Sequence, residues 1–177
     1  MRLFVSINFD EKTKEKILTV QSRLRELGRG NFSRLENLHL TLAFLGEVHP
    51  NRISVLCRAM NDTPFYPIKL TFDRVGRFKR DGGDIWWIGA AENKLLTDLQ
   101  STLSRNLAAQ GFLLESRRFS PHITLAREVE LQAVPDCTAL LGDSFSADVN
   151  TMNLMCSERI DRKLTYTEQY KVTVQYK

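Results

Sequence analysis

Apolar side chains fall on every second position at the start of the chain: Leu3, Val5, Ile7 and Phe9. That period of two predicts a half-buried strand. Asp10 then offers an N-cap, and Ile17, Val20, Leu24 and Leu27 recur at helical spacing, so a helix is predicted with Gly28 as its stop. Residues 29–35 (RGNFSRL) read as a loop and residues 37–46 (NLHLTLAFLG) as a strand. Past Pro50, the residues Ile53, Leu56, Cys57 and Met60 mark a short helix. A strand follows over residues 67–75, and Asp81-Gly82-Gly83 forms the tip of a hairpin that leads into IWWIGA. Asn93 caps a second long helix, with Leu96, Leu99, Leu103 and Leu107 on its apolar face and Gly111 at its end. Residues 122–126 (HITLA) give a strand and residues 133–143 a short helix. Residues 148–157 give another strand, 159–163 a turn, and 164–176 an alternating closing strand.

Two of these strands open on the same pattern. His39-Leu40-Thr41-Leu42 and His122-Ile123-Thr124-Leu125 lie 83 positions apart and use two of the three histidines. The same offset lays Asp10 on Asn93, Gly28 on Gly111, and residues 68–72 on residues 151–155. Agreement of cap, stop and motif predicts an internal duplication. The expected organisation is one bilobal domain over residues 1–177, with halves of about 1–83 and 84–177.

Alternate residues of a strand share a face and lie about 7 Å apart. His39 and Thr41 therefore point one way and Leu40 and Leu42 the other, and the second motif does the same. A single His-x-Thr-x strand is common and usually holds only a satisfied sheet histidine. Two copies facing each other about a pseudo-twofold axis bring two imidazoles and two hydroxyls into one cleft. That set suits in-line displacement at phosphorus: one histidine takes a proton from the attacking oxygen and the other protonates the leaving oxygen. The hydroxyls can donate to the non-bridging oxygens. Pseudo-symmetry leaves acid and base unassigned. The pH profile should be bell-shaped, with both limbs within about two units of histidine's usual 6.5. His49, before Pro50, reads as exposed and idle. Of Trp86 and Trp87, one should enter the core and the other the surface.

A net charge of +4 and a pI near 9.1 permit an anionic partner without requiring one. Arg77, Lys79 and Arg80 crowd one hairpin end, and Arg117 and Arg118 precede the second motif. RNA contact and a plain solvated surface explain them equally well. Cys57, Cys137 and Cys156 are odd in number and far apart, which argues for reduced thiols and a cytoplasmic protein. No apolar run approaches the roughly 20 residues of a membrane helix. No metal site is visible, and no cofactor is expected.

The segments ENLHLTLAFLGEV, FSPHITLAREV and LMCSERIDRKLTYTEQYKV resemble those of the 2H phosphoesterase superfamily. Within it they resemble the bacterial RNA 2′,3′-cyclic phosphodiesterases, formerly called 2′-5′ RNA ligases, and the resemblance runs from the first strand to the last. It implies an α+β fold of two pseudo-symmetric lobes, with antiparallel sheets flanked by helices and a cleft between them. It implies metal-independent hydrolysis of an RNA terminal 2′,3′-cyclic phosphate to a 2′-phosphate, with 2′-5′ ligation as the reverse type of reaction. Carried over residue by residue, His39 is the proton donor and His122 the proton acceptor. Thr41, Thr124 and Arg127 bind the phosphate, and Phe44 and Phe119 are candidate substrate contacts, with core packing the competing reading for Phe44. Strict alternation puts Arg127 on the opposite face from His122, so the strand must end or twist first. The expected partners are RNA ends or small cyclic nucleotides, handled by a monomer. The alternatives are a 2H phosphodiesterase acting on ADP-ribose cyclic phosphate or a 2′-5′ oligonucleotide, and a non-catalytic RNA-end binding protein.

Overall fold

A computed structural model describes residues 1–176. Strand β1 (Arg2–Asn8) leads into helix α1 (Glu11–Arg25), whose cap is the Asp10 carboxylate accepting from the Thr13 amide at 2.8 Å. The Thr13 side chain and that amide together hold the Asp10 carboxyl below its ordinary pKa. Strands β2 (Gly28–Phe32) and β3 (His39–Glu47) follow, then helix α2 (Ile53–Asn61) and the hairpin of β4 (Ile68–Phe78) and β5 (Asp84–Ala90). Helix α3 (Lys94–Ala109) starts as α1 does, with the Asn93 side-chain oxygen accepting from the Leu96 amide at 3.0 Å. Each such cap contributes about 1 kcal/mol. The chain finishes with β6 (His122–Leu131), the short α4 (Cys137–Leu141), β7 (Phe145–Val149), β8 (Thr151–Ile160) and β9 (Lys163–Thr173). Asp161 and Arg162 both take positive φ in the tight β8–β9 turn, the geometry that matches strand twist.

Four sequence expectations change. Residues 29–35 are not all loop, because β2 pairs with β6. Its glycines hid it: a side chain at Gly28 or Gly30 would run into β6 at Glu130 or Val129, so close backbone approach replaces apolar alternation. Gly28 does not stop α1, which already ends at Arg25 with Glu26 as cap, and Leu27 is exposed. Strand β1 is buried on both faces, since Phe4 on its second face lies under His39 and Tyr166. Residues 148–157 are not one strand, because Asn150 separates β7 from β8.

The fold is α+β, as expected, with one antiparallel sheet in the order β7-β4-β5-β6-β3-β1-β8-β9 and β2 beside β6. Outward from its centre, the order is pseudo-symmetric: β6-β5-β4-β7 on one side answers β3-β1-β8-β9 on the other. The 83-residue offset maps β1, β3 and β4 onto β5, β6 and β8. The lobes interleave the two halves of the chain. β4 from the first half pairs with β5, and β8 from the second pairs with β1. The helices cross too, α1 packing on β6 and β7 and α3 on β3. Only Leu40 and Ile123, both fully buried, pair between β3 and β6. Beyond them the two motif strands splay apart, and β2 takes β6's free edge from Ala126 onward.

Candidate active site

Each motif strand breaks its alternation at the same point. Ser6 pairs with Thr41 but Val5 pairs with Ala43, so Leu42 is an extra residue in β3. Trp87 pairs with Thr124 but Trp86 pairs with Ala126, so Leu125 is the extra residue in β6. Two consecutive residues then point inward, Leu42-Ala43 and Leu125-Ala126, and all four are buried. A β-bulge of this kind re-aims the side chains after it. Phe44 therefore rejoins the face of His39 and Thr41, and Arg127 rejoins the face of His122 and Thr124. This is the twist that the sequence required for Arg127.

The extra residues' carbonyls are held by glutamines from the crossed helices. Gln21 of α1 donates through Nε2 to Leu125 O at 2.9 Å and to Ser33 O at 2.8 Å. Gln100 of α3 donates to Leu42 O at 3.3 Å.

Both imidazoles are fixed in the same way. His39 Nδ1 lies 2.7 Å from Asn37 O, and His122 Nδ1 lies 2.6 Å from Ser120 O. A carbonyl only accepts, so Nδ1 carries the proton in each ring and Nε2 is the nitrogen left for chemistry. His39 Nε2 is 3.0 Å from Thr41 Oγ1, whereas His122 Nε2 has no hydrogen-bond partner among the described residues. Each ring also sits in a corner of two aromatics. Phe4 and Tyr166 flank His39 at centroid distances of 4.9 and 5.2 Å. Trp87 and Phe78 flank His122 at 6.1 and 5.2 Å. The outer partners, Tyr166 and Phe78, both stand edge-on, at 87° and 83°.

Burial is the largest influence on both imidazoles and lowers both pKa values. His39 falls to about 4, with the Asn37 carbonyl opposing the drop and the charges of Arg127 and His122 adding to it. His122 is lowered by burial, opposed by the Ser120 carbonyl, and lowered further by Arg127 and Arg117. His39 thus lies well below histidine's usual 6.5. The influence of Arg127 on both rings places its guanidinium within electrostatic reach of each. Burial raises the Tyr166 phenol, against Arg127 and Arg2.

The other predicted residues divide. Thr41 and Thr124 are half-buried on their motif strands, and Phe44 is half-buried with the Arg2 guanidinium 5.2 Å above its ring. Phe119 packs partly against the hydrophobic core. His49 is exposed and caps the 3₁₀ turn at Pro50–Arg52 through the Asn51 amide. Trp86 is in the core, but Trp87 borders His122 rather than open surface. Arg77 is tied to Asp84 at 2.6 Å and Arg117 to Glu115 at 2.6 Å, while Lys79, Arg80 and Arg118 are exposed. Sequence reasoning missed Phe4, Phe78, Trp87 and Tyr166 as neighbours of the histidines. The offset of 83 places Trp87 on Phe4 and could have found that pair. Nothing in spacing pointed to Tyr166, which arrives on β9. Among the described residues, no three His, Cys, Asp or Glu side chains gather as a metal site, and no helix is long and apolar enough to cross a membrane.

A family profile described as the 2′-5′ RNA ligase superfamily matches residues 12–161. The chain belongs to that superfamily, the 2H phosphoesterases. An Escherichia coli relative named RNA 2′,3′-cyclic phosphodiesterase is 32% identical over 171 residues, covering 94% of this chain and 92% of its own. An Archaeoglobus fulgidus relative of the same name is 33% identical over 128 residues, covering 72% of each chain. The crystal structure of E. coli LigT complexed with 3′-AMP superposes with a TM-score of 0.85 at 28% identity, covering 99% of this chain and 98% of that one.

Proposed function

We propose that this chain hydrolyses the terminal 2′,3′-cyclic phosphate of RNA to a 2′-phosphate, with His122 as general base and His39 as general acid. The observation that carries the reading is the matched pair of imidazoles, each with Nδ1 bound to a carbonyl and Nε2 left for the reaction. His122 Nε2 accepts a proton as water attacks phosphorus. His39 Nε2–H gives its proton to O3′ as the P–O3′ bond breaks. The open Nε2 of His122 favours it as the base. Arg127, Thr41 and Thr124 hold the non-bridging oxygens, where negative charge grows. A neutral His39 is a poor donor, so the substrate must help: an anionic phosphodiester entering the cleft favours the imidazolium. The relatives' names support the RNA cyclic phosphate as substrate.

Further parts of the reading are that no metal takes part, that a 5′-hydroxyl RNA end can take water's place as nucleophile, so that the P–O3′ bond breaks and a 2′-5′ linkage forms, and that a cytoplasmic monomer does the work. One chain supplies both motif strands, which supports the monomer, and its three cysteines are unpaired. The common 83-residue offset of caps, strands and bulges supports an origin by duplication. The 3′-AMP named for the E. coli structure favours a second reading, a small nucleotide substrate.

Product analysis on a short RNA ending in a 2′,3′-cyclic phosphate tests the main reading. A 2′-phosphate product formed at an undiminished rate after prolonged chelation is expected. No ring opening on RNA, with turnover of a cyclic mononucleotide, would select the second reading. Loss on chelation with rescue by one divalent ion would point to a metal-assisted route.

A further inference from the structure

A five-membered cyclic phosphate offers two similar ester oxygens, O2′ and O3′. A cleft with true twofold symmetry would accept it either way round and yield two products. The backbone here is nearly symmetric around phosphorus: the same motifs, the same bulges, the same carbonyl anchors. Selection must therefore come from side chains that break the symmetry. Arg127 and Phe44 occupy equivalent positions, and only Arg127 can donate. Among the four rings that flank the imidazoles, only Tyr166 carries a hydroxyl, and its edge-on counterpart at His122 is Phe78. The Tyr166 side chain is half-buried, and its hydroxyl has no hydrogen-bond partner among the described residues. It lies within electrostatic reach of Arg127, which comes from the opposite strand. The Tyr166 ring stands against His39, and the β6 bulge turns Arg127 to the face of His122 and Thr124, so the phenol and the guanidinium belong to opposite sides of the cleft.

We propose that Tyr166 sets the regiochemistry of ring opening: its hydroxyl joins Arg127, Thr41 and Thr124 as a donor to the non-bridging oxygens, so that O3′ alone lies against His39. The inference rests on the function proposed above. In the transition state, water and the leaving oxygen are apical. The three equatorial places go to the two non-bridging oxygens and the retained ring oxygen. Donors fixed at two of these places leave one equatorial place for that ring oxygen and so fix the direction of the ribose. With the Tyr166 hydroxyl removed, the donor set loses the member that distinguishes the His39 side from the His122 side, and the substrate can turn over and present O2′ to His39.

Tyr166→Phe keeps the ring and its edge contact with His39 and removes only the hydroxyl. On 2′,3′-cyclic AMP and on a short cyclic-phosphate RNA, the wild-type chain should give one phosphate isomer. Tyr166→Phe should lower kcat/KM by about 10–100-fold, the range for one hydrogen bond to a charged group. It should also release a measurable share of the 3′-phosphate. Phe78→Tyr, which leaves Tyr166 in place and adds a hydroxyl at His122, should also mix the products, and the double variant should mix them further. Unchanged isomer purity in Tyr166→Phe overturns the proposal, whether or not its rate falls, because a purely structural role would slow both openings alike. Wild-type protein that opens no 2′,3′-cyclic phosphate sinks the functional reading itself, and this inference with it.

Discussion

The two sides of the cleft share a backbone plan and differ in how firmly it is held. On the His39 side, the anchoring carbonyl belongs to Asn37, a buried residue in a 3₁₀ turn, and its side-chain amide donates to Leu164 O at 2.9 Å. That bond ties the His39 anchor to β9, two residues before Tyr166. On the His122 side, the anchor belongs to Ser120, an exposed residue at the end of a stretch without strand or helix, residues 112–121. Thr41 covers His39 Nε2, and His122 Nε2 is open. Phe44 answers Arg127, and Phe4 answers Trp87, whose larger ring fits because Gly76 lies beneath it, where any side chain would collide with the indole. Symmetry in the backbone sets the two imidazoles on paired strands, within electrostatic reach of each other. Proton transfer in one direction needs those imidazoles to be unequal, and the side chains supply the inequality.

Removing either imidazole should break the comparison most. His39→Ala and His122→Ala are each expected to lose on the order of 10²–10⁴-fold in kcat, the range for a general acid or base. Both side chains face the cleft, so melting temperatures should change little. The two losses should differ in kind. A nitrophenyl ester has a good leaving group and needs little protonation, so it should rescue His39→Ala far more than His122→Ala. Rescue of His122→Ala instead would exchange the two roles.

Arg127 and Phe44 come next, because they hold equivalent positions. Arg127→Ala should cost about 10–100-fold in kcat/KM, the range for a charge-assisted hydrogen bond to phosphate. Phe44→Ala should cost less. The pH profile gives a second measure. Productive protein has His39 charged and His122 neutral, and both pKa values lie below the usual 6.5. Both limbs of kcat/KM should therefore fall on the acid side of neutrality, and the rate should decline as pH rises past about 6.5. Arg127 pushes both values down, so Arg127→Ala should move both limbs up. Bound substrate is anionic and favours the imidazolium, so the kcat limbs should lie above those of kcat/KM. Limbs that stay fixed in Arg127→Ala would remove the guanidinium from the cleft.

Much of this arrangement was legible as period and spacing. The matched motifs gave His39, Thr41, His122 and Thr124, and Asp10 and Asn93 gave the starts of both long helices. The bulges left a visible trace as well, since Leu42-Ala43 and Leu125-Ala126 each put two apolar residues where alternation expects one. Other features leave no local trace. β2 is built on glycines that permit close approach and carry no apolar rhythm. Tyr166 reaches His39 because β8 crosses to β1 and β9 follows it, a pairing between opposite ends of the chain. The interleaving of the halves is hidden for the same reason: an offset shows which elements correspond but not which ones pair.

The glutamines beneath the bulges should sharpen the comparison through stability. Gln21 is buried and serves two carbonyls, whereas Gln100 is half-buried and makes a longer bond to Leu42 O and a second to Ser104 Oγ. Gln21→Leu leaves buried carbonyls with fewer partners and should cost about 1–3 kcal/mol in unfolding free energy. Gln100→Leu should cost less. Denaturant titration of both variants checks the order. If the Gln21 bonds hold the β6 bulge, Gln21→Leu should also lower kcat/KM at temperatures where it remains folded, because Arg127 depends on that bulge for its face.

The smallest effect is expected where the two sides meet a longer RNA. From His122 the rings of Trp87 and Phe78 lead to the β4–β5 turn, where the Arg80 guanidinium lies 5.9 Å above the Phe78 ring and Lys79 is exposed. The β8–β9 turn carries Arg159, Arg162 and Lys163, all exposed. Arg77 belongs with neither set, since it is held by Asp84. If a chain of nucleotides leaves the cleft past His122, replacing Lys79 and Arg80 with Gln should raise KM several-fold for an oligonucleotide. It should leave a cyclic mononucleotide almost unchanged. Every phosphate that is no longer neutralised should also flatten the salt dependence of oligonucleotide binding by about one unit of log–log slope. The same exchange at Arg162 and Lys163 should do less, because β9 turns its aromatic toward His39 and, among the described residues, no second ring leads outward from Tyr166. Equal effects at both turns would mean that the RNA spans the cleft symmetrically, and equal effects on both substrates would mean that neither turn touches RNA beyond its last nucleotide.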